Sequence, residues 1–459
     1  MPSTDHIHRA SRLVAERTDL KDVFRATERL RQLSVQVVID PACAGAAAFE
    51  SAVLTIVNAG HRTLLGGVYV VAPPISPMVS PLGKGRSLAE AVVAFGGAVV
   101  QQPAPDVPTI FVGYSPCFPT SAVSVRLELC GWTAVVSRTD NPAVFGPSDA
   151  LPIAGVLGGA IALSEVFSHA MGLHFDACQR QIGFSLWNPD PAYDWRRASE
   201  EPVVRELPGS LWMVGLGHLG QGYLWALSTL QYVAAKEVEV WLQDDDRIGK
   251  ETISTGLLAF DSDIGQMKTR VAAAHLEQLG FRTRIVERRL TRSNALDSDA
   301  PTLLLAAVDS SFSRIGIMEA CHASDAIRSI IDVGLGAQSG DFDQMTLHGS
   351  PFSETDMTRL LEGKRREEQR ADSHSGTAML EEIATASALD ACGLVRLANT
   401  AVGVPFVGAA AGAIVIAEIL RRLANRPPTR AFSFDLRNPG LRLPSAVHSS
   451  RDRNFTFAN

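Results

Sequence analysis

SLWMVGLGHLG, residues 210–220, reads as a buried strand running straight into Gly215-x-Gly217-x-x-Gly220. The residues that follow place Leu219, Tyr223, Leu227 and Leu230 at three- and four-residue spacing, so a helix opens at the last glycines. Glycines at these positions let the backbone turn tightly and approach a phosphate, and a helix N-terminus supplies oriented N–H groups and partial positive charge. The next strand, EVEVWLQDDD, ends in Asp244, Asp245 and Asp246. The first of these lies 24 residues beyond Gly220 (244 − 220), where an acid accepts a hydrogen bond from a ribose hydroxyl. This much fits a nicotinamide dehydrogenase and an ATP-using enzyme equally.

Working outward, residues 211–459 read as one α/β unit, with residues 334–390 as its irregular crossover segment. Within that segment the charge run RLLEGKRREEQRAD, Arg359 to Asp372, is read as a solvated helix, with a lid or docking loop as the alternative. Upstream, residues 188–210 are polar and punctuated by proline, which suits a linker. Residues 1–187 form a second α/β unit, in which SVQVVID from Ser34, a turn around Pro41 to Gly45, a helix from Ala47 and the run Gly67 to Val71 give strand, helix, strand. PIAGVLGGAIALSEVF from Pro152 matches PFVGAAAGAIVIAEIL from Pro405, and Gly155 and Gly408, Gly159 and Gly412, and Glu165 and Glu418 share one separation of 253 (408 − 155). A duplication is expected, with a degenerate first half, because its loop DPACAGAAAF lacks the glycine spacing of the second.

After the acid triplet come DIGQMK, Asp263 to Lys268, and, beyond the apolar run PTLLLAAV, VDSSFSR, Val308 to Arg314. This order over about Ser210 to Leu423 resembles the ThiF/MoeB and ubiquitin-activating-enzyme (E1-like) superfamily of adenylyltransferases. The matching residues are Gly215, Gly217 and Gly220; Asp244 and Asp246; Lys268; Asp309 and Arg314; and the glycine-bounded helix Gly408 to Glu418. The resemblance implies two Rossmann-like halves forming an intramolecular pseudo-dimer in which only the C-terminal half keeps an intact nucleotide motif. It implies ATP and Mg2+ as cofactors, Asp244 or Asp246 on the ribose, Lys268 clamping the phosphates and Asp309 as the magnesium ligand. The reaction implied is adenylation of the C-terminal carboxylate of a ubiquitin-like protein, with a ubiquitin-conjugating-type enzyme as a further partner.

One departure bears on catalysis. Where the superfamily carries N-x-x-R-Q, the stretch KETISTG has Thr252 and Thr255, so its usual arginine is missing. An arginine acting on a transferring phosphoryl group contributes about 10³ to 10⁵ in rate. Arg247 or Lys250 could substitute, or Arg29 or Arg31 of the first half could reach across by analogy with the superfamily's dimers. For a thioester step the candidate thiol is Cys392 in DACGLVR, with Arg396 one turn on, whereas Cys321 in IGIMEACHA reads as a buried filler.

Composition narrows the alternatives. A formal charge of -7 on 459 residues supplies no broad basic face, so no nucleic-acid partner is expected. Six cysteines without a CxxC pair give no zinc site and read as reduced, cytoplasmic thiols. The N-terminus is polar from the start, with His6 and His8 in a frayed tail and no secretory signal. Residues 397–417 carry no charge, yet Asn399, Thr400 and Pro405 interrupt them, so a glycine-faced buried helix is expected rather than a membrane span. The readings carried forward are a bacterial-type activating enzyme, possible as a homodimer, and a nucleotide-binding scaffold without turnover. Behind them stand a sulfur-carrier adenylyltransferase and an NAD-dependent dehydrogenase.

Overall fold

The computed structural model describes residues 7–447 apart from 116–120, 122, 292–298, 310, 323–325, 337–339, 351–361, 363–375, 390–401 and 440–445. Two sheets organise the chain. The first contains β1 (Ser34–Ile39), β2 (Gly67–Val71), β3 (Ala98–Val100), β4 (Thr109–Val112), β5 (Ser124–Cys130), β6 (Thr133–Arg138) and β7 (Ile182–Ser185) in the order β3-β2-β1-β4-β5-β6-β7. The second contains β8 (Leu211–Val214), β9 (Glu239–Gln243), β10 (Arg282–Val286), β11 (Leu303–Ala306), β12 (Ser329–Leu335), β13 (Gln344–Gly349), β14 (Thr429–Asp435) and β15 (Ala446–Val447) in the order β10-β9-β8-β11-β12-β13-β14-β15. In each, five strands run parallel and the later ones antiparallel. The central strands TIFV, LWMV and LLLA are buried along their whole length, as parallel strands covered on both faces must be.

The two sheets thus share one strand order, and their helices correspond. Helix α1 (Arg9–Arg17) and α2 (Val23–Arg31) precede the first sheet, α3 (Ala47–Gly60) follows β1, α4 (Leu88–Ala94) precedes β3, and α5 (Pro152–Met171) joins β6 to β7. In the second half α6 (His218–Leu227) follows β8, α7 (Lys250–Ile253) and α8 (Lys268–Gln278) precede β10, and α9 (Ser311–His322) joins β11 to β12. Helix α10 (Gly376–Ala386) then precedes α11 (Pro405–Leu423), which leads into β14.

The sequence repeat marks equivalent contacts. A Cβ on Gly155 would lie 2.0 Å from the Ala48 carbonyl on α3, and one on Gly412 would lie 2.0 Å from the Gly222 carbonyl on α6. Each glycine lets two helices meet at backbone distance. The paired glutamates also match: Glu165 accepts the Cys178 N–H at 2.9 Å and pairs with Arg180 at 2.6 Å, while Glu418 accepts the Thr429 N–H at 2.9 Å and pairs with Arg422 at 2.7 Å. Both carboxylates are buried, and a buried charge persists only when paired and hydrogen-bonded.

Helices α5 and α11 pack on each other, joining the halves. Around that seam Trp225 Nε1 donates to Thr55 Oγ1 at 2.9 Å, Asn58 Nδ2 to the Leu257 carbonyl at 2.8 Å, and Arg62 Nη1 to the Ile253 carbonyl at 2.7 Å. Phe167 and Phe406 meet with ring centres 5.7 Å apart. Helix α5 is long and apolar enough to cross a membrane, but it lies buried in this core. From Pro405 onward the stretch tested as a span is likewise a buried helix.

The proline-rich segment between the halves packs on the first sheet: Trp132 Nε1 donates to the Pro202 carbonyl at 2.8 Å, Trp132 N to Glu201 Oε2 at 3.2 Å, and Trp195 covers Gly183. The crossover region is also more regular at its start, because alternation in QMTLHG buries one face of β13 within the sheet. Apart from Glu362, the charge run Arg359 to Asp372 lies outside the described residues.

Candidate nucleotide site

The three glycines after β8 do three different things. Gly215 has φ +90°, and a Cβ there would sit 2.6 Å from the Ala307 carbonyl. A Cβ on Gly220 would meet the Gly215 carbonyl at 2.0 Å, so that position demands close helix–strand packing. At Gly217 nothing lies within 4 Å, which leaves the head of α6 open to a ligand. The first N–H groups of a helix such as α6 lack intrahelical acceptors.

Asp244 braces this loop. Its Oδ2 accepts the Leu216 N–H at 2.6 Å and its Oδ1 the Asp246 N–H at 2.8 Å. Burial pushes its carboxyl upward, against the Lys268 charge and these N–H groups. With both oxygens committed, Asp244 is a positioning group, and Asp246 is the acid left open, its side chain 60% exposed. Lys268, the first residue of α8, donates from Nζ to Asp246 Oδ2 at 2.7 Å, and its backbone N–H donates to the Asp246 carbonyl at 3.1 Å. Asp245 turns away to Arg289 at 2.8 Å. The three acids offer oxygens within 4.8 Å of one another, but those oxygens are held by these partners.

Across the glycine loop, Asp309 is the third residue after β11 and is exposed. No hydrogen bond to a described residue engages its carboxylate, so it offers a hard oxygen of the kind magnesium takes together with phosphate oxygens. Arg314 fixes the turn that carries it: Nη2 donates to the Val308 carbonyl at 2.8 Å and to the Val333 carbonyl at 2.9 Å, tying the ends of β11 and β12.

The arginine that comes across from the first half is Arg9. Glu251 and Asp309 act on its guanidinium and hold its charge, against a burial that pulls its basicity down. Its Nε is buried with no hydrogen-bond partner among the described residues. Arg29 and Arg31 instead lie exposed on α2, where Arg31 pairs with Glu28. His8 is correspondingly no frayed tail. It stands at the N-cap position of α1, makes no side-chain capping hydrogen bond, and is pushed down to about 4, mainly by burial; His6 lies outside the described residues. The signal overlooked in the sequence is RASRLVAER itself, whose Ala10, Leu13 and Val14 form a buried stripe that carries Arg9 to the site. His218, at the head of α6, accepts the Gly408 N–H through Nε2 at 3.1 Å. Burial, with the Arg9 charge nearby, pushes it down to about 3, so it is neutral.

The remaining candidates do not converge there. Arg247 is exposed, with Nη1 on the Gly265 carbonyl at 2.8 Å, and Lys250 is exposed at the start of α7. Thr252, within α7, and Thr255, just after it, are buried, and the nearby Ile253 and Leu257 carbonyls are held by Arg62 and Asn58. Cys392 and Arg396 lie outside the described residues. Cys43, Cys130, Cys178 and Cys321 are all buried. Burial pushes the Cys43, Cys178 and Cys321 thiols up to about 12, so none of these three is a thiolate at neutral pH.

The equivalent place in the first half is differently furnished. Isolated bridges Pro77–Ser87 and Arg247–Met267 align Ser76 with Asp246 and Leu88 with Lys268. Ser115, the third residue after β4, stands where Asp309 stands after β11. The Asp40 carboxylate accepts N–H groups from Ala42, Tyr114 and Ser115 at 3.0, 3.0 and 2.7 Å. What is left is a cavity of about 120 Å3 bordered by Cys43, Gly45, Glu50, Ser76 and Leu88.

Two family models match this chain. Residues 34–186 match the family described as BilD N-terminal domain, and residues 207–426 match BilD C-terminal domain. Helix α1, with Arg9, precedes both matches. The bacterial E1-like protein BilD of Collimonas sp. (strain OK412) is 34% identical over 433 residues, covering 94% of this chain and 91% of that protein. Among solved structures, the E. coli tRNA N6-threonylcarbamoyladenosine dehydratase TcdA is similar over 47% of this chain and 86% of its own, at 16% identity and a TM-score of 0.32. Its complex with ATP is similar at 17% identity and a TM-score of 0.33. On the two domain matches and the near full-length relative, the chain belongs to the BilD family of bacterial E1-like proteins.

Proposed function

We propose that this chain is an ATP-dependent adenylyltransferase that activates the C-terminal carboxylate of a ubiquitin-like protein, using a single nucleotide site in its second half. What supports this reading is the set of an open glycine loop after β8, the Lys268–Asp246 pair after β9, and an exposed Asp309 after β11 whose charge acts on an arginine of the other half. An anionic triphosphate needs such a combination, and a nicotinamide site has no use for an exposed carboxylate such as Asp309 acting on an arginine.

In this reading the ribose hydroxyls donate to Asp246, and the N–H groups at the head of α6 receive phosphate oxygens. Lys268 draws negative charge toward the α-phosphate, where pre-organised cations act most strongly in the transition state. A carboxylate oxygen of the substrate attacks the α-phosphorus, the bond from that phosphorus to the bridging oxygen breaks, and pyrophosphate leaves with the electron pair. Magnesium, held by Asp309 and the phosphates, would neutralise charge on the leaving group. Arg9 supplies the cation that Thr252 and Thr255 do not. With Leu88, Ser76 and Ser115 at the corresponding places, the described residues of the first half lack the lysine and acids proposed here to hold Mg-ATP.

The second reading, a nucleotide-binding scaffold, is favoured by the buried Thr252 and Thr255. ATP–pyrophosphate exchange in the presence of a ubiquitin-like protein ending in glycine separates the two. Exchange in the wild type that disappears in Asp309→Ala supports the enzyme. Mg-ATP binding with equal, background exchange in both proteins would establish the scaffold. Transfer to Cys392 is a further proposal, tested by a reducible adduct that is absent from Cys392→Ala.

A further inference from the structure

We propose that Asp246 selects nucleoside triphosphates over inorganic polyphosphate, by holding Lys268 in the free protein and releasing it only to a ligand whose ribose replaces the lysine. This inference rests on the nucleotide site proposed above. Lys268 Nζ lies 2.7 Å from Asp246 Oδ2, and the lysine side chain is only 13% exposed. The pairing is built into the backbone: the Lys268 N–H donates to the Asp246 carbonyl at 3.1 Å, and Arg247 bridges Met267 beside it. The Lys268 charge also acts on Asp244, but its hydrogen bond goes to Asp246, because the Asp244 oxygens are turned to the Leu216 and Asp246 N–H groups, and Asp245 is held by Arg289.

A phosphate chain approaching this site therefore meets a lysine whose charge is already matched. To win Lys268 it must break the pair and leave Asp246 bare beside its own negative charge, a like-charge contact that disfavours binding. A ribonucleotide brings two hydroxyl donors to the same carboxylate. It exchanges one charged hydrogen bond for another at Asp246 while the freed Nζ swings to phosphate. The ribose and phosphate contacts are thus coupled through one ion pair. The first half carries neither member of the pair, because the aligned positions are Ser76 and Leu88.

The test is calorimetric titration of the full chain with the magnesium complexes of inorganic tripolyphosphate, ATP and 2′,3′-dideoxy-ATP. The proteins compared are wild type, Asp246→Asn, Asp245→Asn and Asp246→Asn with Lys268→Ala. Freeing a partly exposed ion pair should tighten tripolyphosphate about three- to fivefold in Asp246→Asn. Asp245→Asn removes the same charge without touching Lys268 and should change it by less than about twofold, and Lys268→Ala should abolish the gain. ATP should bind the wild type better than dideoxy-ATP, and the two should bind Asp246→Asn alike. Equal gains in the two asparagine variants would reduce the effect to general charge and overturn the coupling. No gain in Asp246→Asn, with normal ATP binding to the wild type, would overturn it while leaving the nucleotide site standing. Wild-type protein that binds no Mg-ATP would overturn both.

Discussion

At the scale of single residues, the central feature is an arginine supplied by the opposite half. The charges of Glu251 and Asp309 act on Arg9, whose buried Nε has no hydrogen-bond partner among the described residues, an arrangement that costs free energy unless a ligand completes it. Arg9→Ala is expected to lower pyrophosphate exchange by about 10² to 10³ while changing Mg-ATP affinity far less. Arg29→Ala on α2 should leave the rate near wild type, and equal losses in the two would refute the assignment. A second residue-scale consequence concerns pH. His8 and His275 are pushed down to about 4, and His61 and His218 to about 3, chiefly by burial. Their folded values lie below the ordinary 6.5, so their stabilisation is present above that pH and is lost as pH falls from it toward the folded values. Between pH 7.5 and 5.5 each histidine should remove up to about 1.4 kcal/mol. Denaturant titration at the two pH values should therefore show a falling midpoint, and an unchanged midpoint would contradict the neutral, buried state of these rings.

At the scale of elements, the glycine-lined helices α5 and α11 set how closely each half packs. Gly412 meets the Gly222 carbonyl where an added Cβ would be 2.0 Å away. Because that obstacle is backbone, Gly412→Ala should destabilise the protein by about 3 kcal/mol, measured by chemical denaturation. Gly217→Ala, in open space, should leave stability nearly intact and weaken Mg-ATP binding. The element scale also shows what could be read beforehand. SLWMVGLGHLG followed by a three- and four-residue apolar rhythm left little choice but strand, glycine loop and helix, and the 253-residue repeat located two equivalent helices with their buried glutamates. These signals are local in sequence or periodic. The Lys268–Asp246 pair joins residues 22 positions apart, and which acid of the triplet stays open depends on the Leu216 N–H reaching Asp244. Arg9 was hidden for a related reason. Nothing in a nucleotide motif anticipates a group carried by a helix before the first strand of the other half.

At the scale of the whole molecule, two sheets of the same strand order share a continuous core through α5 and α11, sewn at its edge by Trp225, Asn58 and Arg62. Halves coupled by a buried apolar seam should unfold together. Heating followed by tryptophan fluorescence and by far-ultraviolet dichroism is expected to give one coincident transition, and two separated transitions would show that the halves are independent. The same duplication bears on stoichiometry. Charged groups gather at the end of β8, β9 and β11, whereas the matching end of the first sheet holds Leu88, Ser76, Ser115 and the internally satisfied Asp40. The most direct measurement of the account is therefore a calorimetric titration of Mg-ATP, with NAD as comparison, into the wild type and Lys268→Ala. The account predicts one Mg-ATP per chain for the wild type, binding weakened at least about tenfold in the variant, and no heat from NAD. Two equivalents per chain, an unaffected Lys268→Ala protein, or preference for NAD would contradict it.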